Sequence, residues 1–549
     1  MLRRRAGSPE TSAGLRPVPQ RLSPRDHRAG PLKLMNLSLL LSRAARAHPK
    51  KPALVQGDRI LDYAEFNRRA GRLAGALRDL GVRMGDRVAI LQHNAPPFLE
   101  TLFALFRLGA VAVPINVRLH PREVRYILEQ SLAAAVIHGD FINPRIPQAR
   151  RETSVRHWIS TGERASPDSL GYEDLLAQGT ELLDDAELEE DALAWLFYTS
   201  GTTGNPKGAM LSHRNLLAMT MSFFADHYVP DETDMALHAA PLSHGSGLYA
   251  LPLVARGVTN ILHDSVGFSP ALVFEEITRW KVTLIPFLAP TQIKRLAEEP
   301  VGAGHDLASL RAIAWGGAPM YVEDARRAVA RFGPILTELY GLGESPMTIT
   351  ALSRRAMAAE LEKAPALLTA GLPRTDVEVR VVDEAGQPLP AGSSGEVLVR
   401  GGVVMKGYWN NPQATAETLR GGWLHTGDIG YLDERGYLFL VDRKNDMILS
   451  GGSNIYPREV EEVLMEHPQV AEVAVFGVPD PEWGESVKAA VRPRNRQAPP
   501  PAPELIAFCR ERIASFKKPR WVVFVDEIPK NAYGKTLRRE LRERFGSPD

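Results

Sequence analysis

The sequence predicts an α/β protein with a large amino-terminal domain of layered parallel sheets and helices, a β-rich subdomain and a small α+β carboxy-terminal domain. Strands and helices alternate between residues 63 and 287, which is typical of parallel sheets with helices on both faces. Short strands separated by Gly and Asp turns replace this pattern further along the chain. A last run of helices and strands fills residues 444–549, and 549 residues are more than one hydrophobic core usually covers.

The amino-terminal elements follow from apolar periodicity and capping residues. Asn36 is placed to cap the helical run LSLLLSRAARA, and a hairpin turns at Gly57-Asp58. From Tyr63, apolar residues recur every three or four positions, which predicts a helix that ends at Gly81. The alternation continues with strands near 88–91, 110–115 and 133–137 and helices near 97–108 and 121–130. Beyond residue 213 it resumes with helices near 215–224 and 274–280 and strands near 233–240 and 282–287.

The carboxy-terminal half predicts two further units. The segments EVRVVD, GEVLVR and GYLFLVDR predict the β-rich subdomain, at about 376–441. After Arg443, a helix opens at Pro457, strands follow near 473–478, 488–491 and 521–526, and a helix lies near 504–514. We therefore expect a leader at 1–34, an amino-terminal domain at 35–443 and a separate carboxy-terminal domain at 444–549, with the boundary near Lys444-Asn445.

Composition excludes several classes of function. The chain has 66 basic and 65 acidic side chains, so no global field attracts nucleic acid or an anionic membrane. Cys509 is the single cysteine, which rules out an internal disulfide, and its helical spacing with Leu505 and Ile506 predicts a core position. The most apolar stretch, 99–115, contains charged residues and falls short of the roughly 20 apolar residues that a transmembrane segment needs.

The first 34 residues are rich in Arg and Pro and lack an apolar core segment. This composition excludes a secretory signal and leaves three interpretations: a disordered basic leader, a transit peptide, or an upstream start before Met35. We expect a cytoplasmic protein with a dispensable leader.

The stretch 198–213, YTSGTTGNPKGAMLSH, predicts a phosphate-binding loop behind an apolar strand. Its glycines let the backbone approach a ligand, its hydroxyls donate hydrogen bonds, and its lysine adds a cation. The residues that suit a triphosphate are Thr199, Ser200, Gly201, Thr202, Thr203, Gly204 and Lys207. The P-loop signature does not fit, because Pro206 precedes the lysine and Gly208 follows it. A solvated Gly/Thr turn is the alternative interpretation.

Two further glycine-rich stretches follow predicted strands. PLSHGSG places His244 among glycines, where its side chain could reach a cavity, although a satisfied turn histidine is the plainer interpretation. WGGAPM offers the backbone of Gly316, Gly317 and Ala318 to a flat ring, and a simple strand-loop junction is the alternative.

Three more stretches carry aromatic or charged groups. YGLGES provides Tyr340 to stack on a base, Gly341 to open the backbone, and Glu344 to hold Mg²⁺. HTGDIGYLDERGYLFLVDRKND supplies Asp428 and Arg443 for sugar hydroxyls. PKNAYGKTLRREL presents Lys535 before a basic helix. Each stretch has a plainer interpretation when it is taken singly. Glu344 would be a solvated glutamate in a turn, the HTGD stretch a hairpin, and the Lys535 stretch a solvated charged face.

Together these motifs resemble the adenylate-forming (AMP-binding) superfamily, and within it the acyl-CoA synthetases, or fatty acid:CoA ligases. The resemblance covers about residues 36–545, and the phosphate loop, HTGD, DRKNDMI and the terminal GK are its specific motifs. In that family a carboxylate attacks the α-phosphate of ATP to give an acyl-adenylate and pyrophosphate, and the CoA thiol then displaces AMP. The resemblance also implies that the β-rich subdomain is a barrel and that the carboxy-terminal domain is mobile.

By matching motif positions, the resemblance implies a role for each candidate. Lys207 and the Thr/Ser hydroxyls would hold the β- and γ-phosphates, Glu344 the Mg²⁺, and Lys535 the α-phosphate and acyl oxygen. Tyr340 and the 316–318 backbone would hold adenine, Asp428 and Arg443 the ribose, and His244 would line the acyl pocket. The implied catalytic residues are Lys535, Glu344, Thr202 and His244. Rotation about Asn445 would then bring Ser450, Gly451 and Gly452 to the CoA tunnel.

Two positions depart from the family pattern. The hinge position is Asn445, where family members usually carry Asp or Lys. Gly343 stands where the family commonly has a threonine that hydrogen-bonds the phosphate, which puts one α-phosphate contact in doubt.

The resulting prediction is an ATP- and Mg²⁺-dependent carboxylic acid:CoA ligase with CoA as co-substrate. The pocket candidates Ser243, Gly245, Gly247, Gly317, Gly341 and Gly343 are small, which suggests room for a medium- or long-chain fatty acid, with aryl or cyclic acids next. No charged residue in these motifs suggests a second carboxylate on the substrate, so dicarboxylic acids are not favoured. A ligase that loads a carrier protein, a luciferase-type oxygenase and a non-catalytic adenylate-binding sensor stay open. The expected partners are these small molecules, and a homodimer is compatible with the sequence.

Overall fold

A computed structural model of the protein describes residues 35–139, 150, 153–162, 169–189, 191–199, 206–302, 304–318, 320–363, 368–443, 446–450, 453–531 and 535–547. Several predicted features lie outside the described residues. These are the leader 1–34, the phosphate-loop residues Ser200, Gly201, Thr202, Thr203 and Gly204, the hinge Asn445, Gly451 and Gly452. The side chain of Arg443 is also outside the description.

The larger of two α/β sheets has nine strands, most of them parallel. In spatial order they are β16 (Leu372–Pro373), β15 (Thr350–Leu352), β14 (Leu336–Tyr340), β13 (Ala312–Gly316), β12 (Leu284–Leu288), β10 (Met235–His238), β11 (Thr259–Leu262), β1 (Pro52–Gln56) and β2 (Arg59–Asp62). The predicted hairpin β1–β2 is thus joined to a strand about 200 residues further along the chain, because β1 pairs with β11 through Leu54 and Asn260.

The second sheet has seven strands, which are parallel except for its last pair. The order is β7 (Leu170–Gly171), β6 (His157–Ser160), β5 (Ala133–His138), β3 (Arg87–Leu91), β4 (Val111–Pro114), β8 (Leu193–Thr199) and β9 (Lys207–Ser212). Strands β8 and β9 form an antiparallel hairpin whose connection carries the predicted phosphate loop. The sequence did not predict β9.

Two smaller sheets complete the β structure. The β-rich subdomain contains β17 (Val377–Val382), β18 (Gly395–Gly401), β20 (Trp423–Leu432), β19 (Leu419–Arg420) and β21 (Leu438–Arg443). It is antiparallel, and no strand pairing within 377–443 closes it into the barrel that the resemblance implies. The carboxy-terminal sheet contains β23 (Ser453–Ile455), β22 (Ile448–Ser450), β25 (Gly484–Pro493), β24 (Val470–Asp480) and β26 (Trp521–Phe524).

Helices cover the sheets at most of the predicted places. They are α1 (Ser38–Ala47), α2 (Tyr63–Asp79), α3 (Pro96–Leu108), α4 (Pro121–Ser131), α5 (Tyr172–Gln178), α6 (His213–Ser222), α7 (Gly245–Ala255), α8 (Pro270–Trp280), α9 (Pro290–Glu298), α10 (Val322–Phe332), α11 (Arg354–Lys363), α12 (Pro412–Thr418), α13 (Pro457–Met465), α14 (Ala502–Arg510) and α15 (Arg538–Phe545). A π-helical turn, Phe223–His227, continues α6. Asn36 accepts from the Ser38 amide at the start of α1, and Asp62 caps α2 by accepting from the Glu65 amide.

The main core lies between the two α/β sheets. It takes alternate residues from both, such as Ile90 and Phe197 from one sheet and Ile285 and Ile313 from the other. Cys509 is buried in the carboxy-terminal core, as predicted. Within the described residues, every helix is too short or too polar to cross a bilayer.

Candidate active site

The β8–β9 hairpin brings three predicted phosphate-site residues together. Thr199 lies opposite Lys207 in the strand pairing, and its hydroxyl donates to Glu344 Oε1 at 3.2 Å. Tyr408 also donates to Glu344 Oε1, at 2.6 Å, and the Lys207 ammonium lies 5.3 Å from the centre of the Tyr408 ring. A cation, a carboxylate and two hydroxyls therefore lie at the carboxyl end of β8, where ligands bind in α/β sheets.

Tyr408 is a member of this cluster that the sequence analysis missed. It reaches the hairpin because its segment pairs with β9: Ala209 and Tyr408 form a bridge, and the Met210 amide donates to the Gly407 carbonyl at 2.9 Å. The local signal was weak, since GYW in a connecting loop carries neither charge nor periodicity.

The oxygen chemistry of this cluster fits a magnesium ion. Glu344 uses Oε1 for both hydrogen bonds, and Oε2 has no hydrogen-bond partner among the described residues. The part of the chain that the structure describes has no group of three or more His, Cys, Asp or Glu side chains suited to a metal. One carboxylate completed by substrate phosphates is nevertheless a usual way for proteins to hold Mg²⁺.

A cavity of about 240 Å³ lies between the amino- and carboxy-terminal domains. Among its lining residues are six predicted ones: Gly317, Ala318, Tyr340, Gly341, Asp428 and Lys535. The Tyr340 hydroxyl donates to Asp428 Oδ2 at 2.6 Å, and Asp428 lies opposite Arg443 in the pairing of β20 with β21. Gly316 does not line the cavity. A Cβ there would lie closer than 3.0 Å to the Leu339 carbonyl oxygen, so this glycine serves the pairing of β13 with β14.

Lys535 belongs to the carboxy-terminal domain, and contacts between the domains bring it to this cavity. Its backbone exchanges two hydrogen bonds with Asn531, from the Lys535 amide to Oδ1 and from the Asn531 amide to the Lys535 carbonyl. The Val322 amide donates to Glu462 Oε2 at 3.1 Å, and Arg458 Nη2 donates to the Met320 carbonyl at 3.0 Å. Burial raises the pKa of Glu462 to about 7.

Glu338 is a second cavity residue that the motifs did not indicate. It lies on β14, two residues before Tyr340, and its Oε2 is buried without a hydrogen-bond partner in the described part of the chain. Burial raises the pKa of this carboxyl to about 8. Because this unpartnered acceptor belongs to a residue that lines the cavity, it suits a ligand that carries an amino group.

His244 is not among the residues that line this cavity, and it lies at the start of α7. Its Nδ1 accepts from the Gly245 amide at 2.7 Å. The ring lies edge-on to Phe197 at 5.2 Å and parallel to Phe287 at 6.1 Å. Burial lowers the pKa of His244 to about 4, so the ring is neutral near pH 7.

The glycines near His244 do not leave the open volume that the sequence suggested. A Cβ at Gly245 would lie 3.0 Å from Met347 Cε and 3.0 Å from Phe287 Cδ1, and one at Gly341 would lie 2.6 Å from Met347 Cα. At Gly247 a Cβ would come closer than 3.0 Å to the Leu242 carbonyl oxygen. These glycines permit close packing of neighbouring segments, so their small size does not indicate a long acyl channel.

Ser450 is the described member of the three residues predicted to reach the CoA tunnel, and it is not among the cavity-lining residues. It lies on β22, opposite Ser453 and Gly484. Trp483, beside Gly484, is 48% exposed. This face of the carboxy-terminal domain is therefore available to another surface or ligand.

A cavity that is shared by two domains and lined by Tyr340, Asp428 and Lys535 suits an enzyme that activates its substrate with a nucleotide. The AMP-binding enzyme model matches residues 41–409, and the AMP-binding enzyme C-terminal domain model matches residues 459–535. The chain therefore belongs to the AMP-binding enzyme family, and within it to the AMP-forming acyl-CoA synthetases.

Relatives of this chain differ in the acid and in the acceptor that their names state. A feruloyl-CoA synthase from Amycolatopsis sp is 40% identical over 506 residues, which cover 92% of this chain and 98% of the relative. The fatty acid–acyl-carrier-protein ligase ScoC from Streptomyces coeruleorubidus is 34% identical over 520 residues, or 93% and 97% of the two chains. The solved structure of the anthranilate CoA ligase AuaEII with anthranoyl-AMP has a TM-score of 0.85 at 28% identity, over 93% of this chain and 97% of that one.

Proposed function

We propose that this enzyme is an ATP- and Mg²⁺-dependent ligase that joins an aryl or aryl-alkenoic acid to CoA. The observation that carries the proposal is the shared cavity, which Lys535 of one domain lines together with Tyr340, Gly317 and Asp428 of the other. An adenylate fits between such groups, since they offer a ring, an open backbone, a carboxylate and a cation.

The base and sugar of ATP would occupy the cavity. Adenine would lie against Tyr340 and the backbone of Gly317 and Ala318, and Glu338 Oε2 would accept a hydrogen bond from its amino group. Asp428 and Arg443 would hold the ribose hydroxyls. The hydrogen bond from the Tyr340 hydroxyl to Asp428 would hold the carboxylate in place before the nucleotide binds.

Adenylation needs alignment and charge compensation more than proton transfer. The substrate carboxylate attacks the α-phosphate, its new bond to phosphorus forms as the bond to pyrophosphate breaks, and both partners are anions. Lys535 would stabilise the α-phosphate and acyl oxygens, while Lys207 and the hydroxyls of 199–203 would hold the outer phosphates. When bound at Glu344, Mg²⁺ would supply charge neutralisation of the phosphates.

Thioester formation would use the other face of the carboxy-terminal domain. Rotation about Asn445 would withdraw Lys535 and present Ser450, Gly451 and Gly452 to the reaction centre. The exposed ring of Trp483, next to the pairing of Ser450 with Gly484, suits stacking on the adenine of CoA.

The aromatic residues around His244 favour an aryl acid over a fatty acid. Phe197, His244 and Phe287 form two ring contacts at 5.2 and 6.1 Å, and Met347 closes the same region against Gly245. Flat rings offer faces and edges to an aromatic substrate, whereas a long chain needs a channel. The relatives named for ferulate and anthranilate agree with this choice of acid class.

The test is release of AMP and pyrophosphate from ATP and Mg²⁺ with cinnamic, benzoic, fatty and dicarboxylic acids, each with and without CoA. We expect turnover that depends on both CoA and an aryl acid. Turnover with fatty acids alone would overturn the acid class. Pyrophosphate release without CoA-dependent turnover would favour a carrier protein as acceptor, the function stated in the name of ScoC. Nucleotide binding without pyrophosphate release from any acid would favour a sensor.

A further inference from the structure

Arg374 is a fully buried arginine outside every motif of the proposed site. It follows β16, and its residue is 2% exposed. Its guanidinium donates to the carbonyls of Met347 at 3.2 Å and Ser222 at 3.4 Å, and to the Tyr249 hydroxyl at 3.3 Å. Arg374 forms no ion pair with a described carboxylate. Its interaction with Asp376 is electrostatic and acts beyond ion-pair distance.

A buried guanidinium without a paired carboxylate is costly to keep for stability alone. Replacing buried charges by well-packed apolar residues is often neutral or stabilising. What arginine supplies is a rigid fork of donors that can hold several acceptors in one geometry. Here the acceptors come from three distant segments: the end of α6, helix α7 and the loop after β14.

The shared acceptor is the carbonyl of Met347, which receives hydrogen bonds from both Arg374 and Tyr249. Met347 has a φ of 64°, in the left-handed region. For a residue with a long side chain this conformation is unfavourable, so other contacts must hold it. The two hydrogen bonds to the carbonyl are contacts of that kind.

Met347 in turn lies against the functional loop. Its Cα would be 2.6 Å from a Cβ at Gly341, which lines the nucleotide cavity, and its Cε faces Gly245, next to His244. Glu344 is three residues earlier in the same loop, where the Leu342 amide donates to the Ser345 carbonyl. A change in the Met347 backbone would therefore move both the Glu344 loop and the wall near His244.

We propose that Arg374 is a positioning residue, which with Tyr249 clamps the Met347 carbonyl and so fixes the loop that carries Glu344. This clamp acts on the site of the proposed ligase and rests on that function. It acts without touching the reacting atoms: it holds the loop in the one backbone conformation that places Glu344 and Gly341 together.

The test compares R374M, Y249F and the double variant R374M/M347G with the wild type in acid-dependent exchange of pyrophosphate into ATP. Because small displacements of positioned groups cost roughly ten- to hundredfold in rate, we expect R374M to lower the exchange rate about tenfold. R374M should also raise the Mg²⁺ concentration for half-maximal exchange. Y249F should lower the exchange rate and raise the Mg²⁺ requirement by smaller amounts. Glycine tolerates the left-handed region, so M347G should return the Mg²⁺ requirement of R374M most of the way to normal.

Two controls separate positioning from general instability. R380M removes an exposed arginine of the neighbouring strand β17 and should leave the Mg²⁺ requirement unchanged. Should R374M be insoluble, Y249F alone decides the matter. An unchanged Mg²⁺ requirement in Y249F, or no recovery in R374M/M347G, would overturn the clamp while wild-type exchange still supports the ligase. Absence of exchange in the wild type would instead overturn the proposed function.

Discussion

A single methyl group added at Gly343 provides a sharp test of the phosphate-site geometry. A Cβ there would lie 2.7 Å from Phe197 Cδ1 and closer still to the Thr199 methyl group. Phe197 is a core residue that contacts His244, and Thr199 is hydrogen-bonded to Glu344, so neither can yield without disturbing the site. The glycine that departs from the family pattern is thus required by the two side chains that fill the space beside it.

The expected size of the effect follows from this overlap. Overpacking a filled site costs about 1–3 kcal/mol, and relief by moving Thr199 would break a hydrogen bond to a carboxylate that contributes about 1.5–3 kcal/mol. Since about 1.4 kcal/mol corresponds to a factor of ten, Gly343→Ala should lower the rate of acid-dependent pyrophosphate exchange roughly ten- to hundredfold. The midpoint of thermal unfolding should also fall.

A second substitution identifies the cause. Thr199→Ser removes the clashing methyl group and keeps the hydroxyl that donates to Glu344. The pair Gly343→Ala with Thr199→Ser should therefore recover most of the exchange that Gly343→Ala loses. Gly267→Ala is the matched control, because a Cβ at that position meets no atom within 4 Å. Wild-type exchange in Gly343→Ala, or no recovery in the pair, would refute the reasoning.

Three further outcomes are expected. Lys535→Ala should reduce acyl-adenylate formation at least a hundredfold but spare thioester formation from a supplied acyl-adenylate; equal loss of both would contradict the two-orientation scheme. Glu344→Gln should raise the Mg²⁺ concentration for half-maximal exchange about tenfold with little change in the thermal midpoint, and an unchanged requirement would exclude it as the ligand. Burial raises the pKa of Glu338 from its ordinary value of 4.5 to about 8, so the protonated carboxyl stabilises the fold fully below pH 4.5 and this stabilisation is lost as the pH rises through 8. Glu338→Gln should flatten that decline in the thermal midpoint, and an unaltered pH profile would contradict the burial argument.

The fold was predictable where local signals were strong. Asp62, followed by apolar residues at every third or fourth position, predicted helix α2. The alternation of strands and helices predicted α/β sheets. Which strands share a sheet was not predictable, because β1 pairs with β11 across about 200 residues and no local pattern encodes that neighbour. The short hairpin strand β9 was missed because its sequence, KGAMLS, begins inside the phosphate motif and lacks β-branched residues.

The site was predictable where residues act through their own chemistry. Tyr340, Asp428 and Lys535 carry rings and charges in glycine-containing segments, and the structure brings them to one cavity. Glu338 and Tyr408 were missed because their relevance comes from contacts with distant segments rather than from neighbours in sequence. The surroundings of the pocket glycines were not predictable either. Gly245, Gly247 and Gly341 pack closely against neighbouring segments, and only the folded structure brings those segments together.

The chemistry of the domain interface bears on how one site could serve two reactions. The contacts that place Lys535 in the cavity include hydrogen bonds from the Val322 amide to Glu462 and from Arg458 to the Met320 carbonyl, which water can replace when the domains separate. Burial raises the pKa of Glu462 to about 7, so this interface keeps a carboxyl that gains solvation when it opens. An interface of this kind stabilises an orientation without fixing it permanently, which suits the proposed scheme in which the domain would deliver Lys535 and then leave.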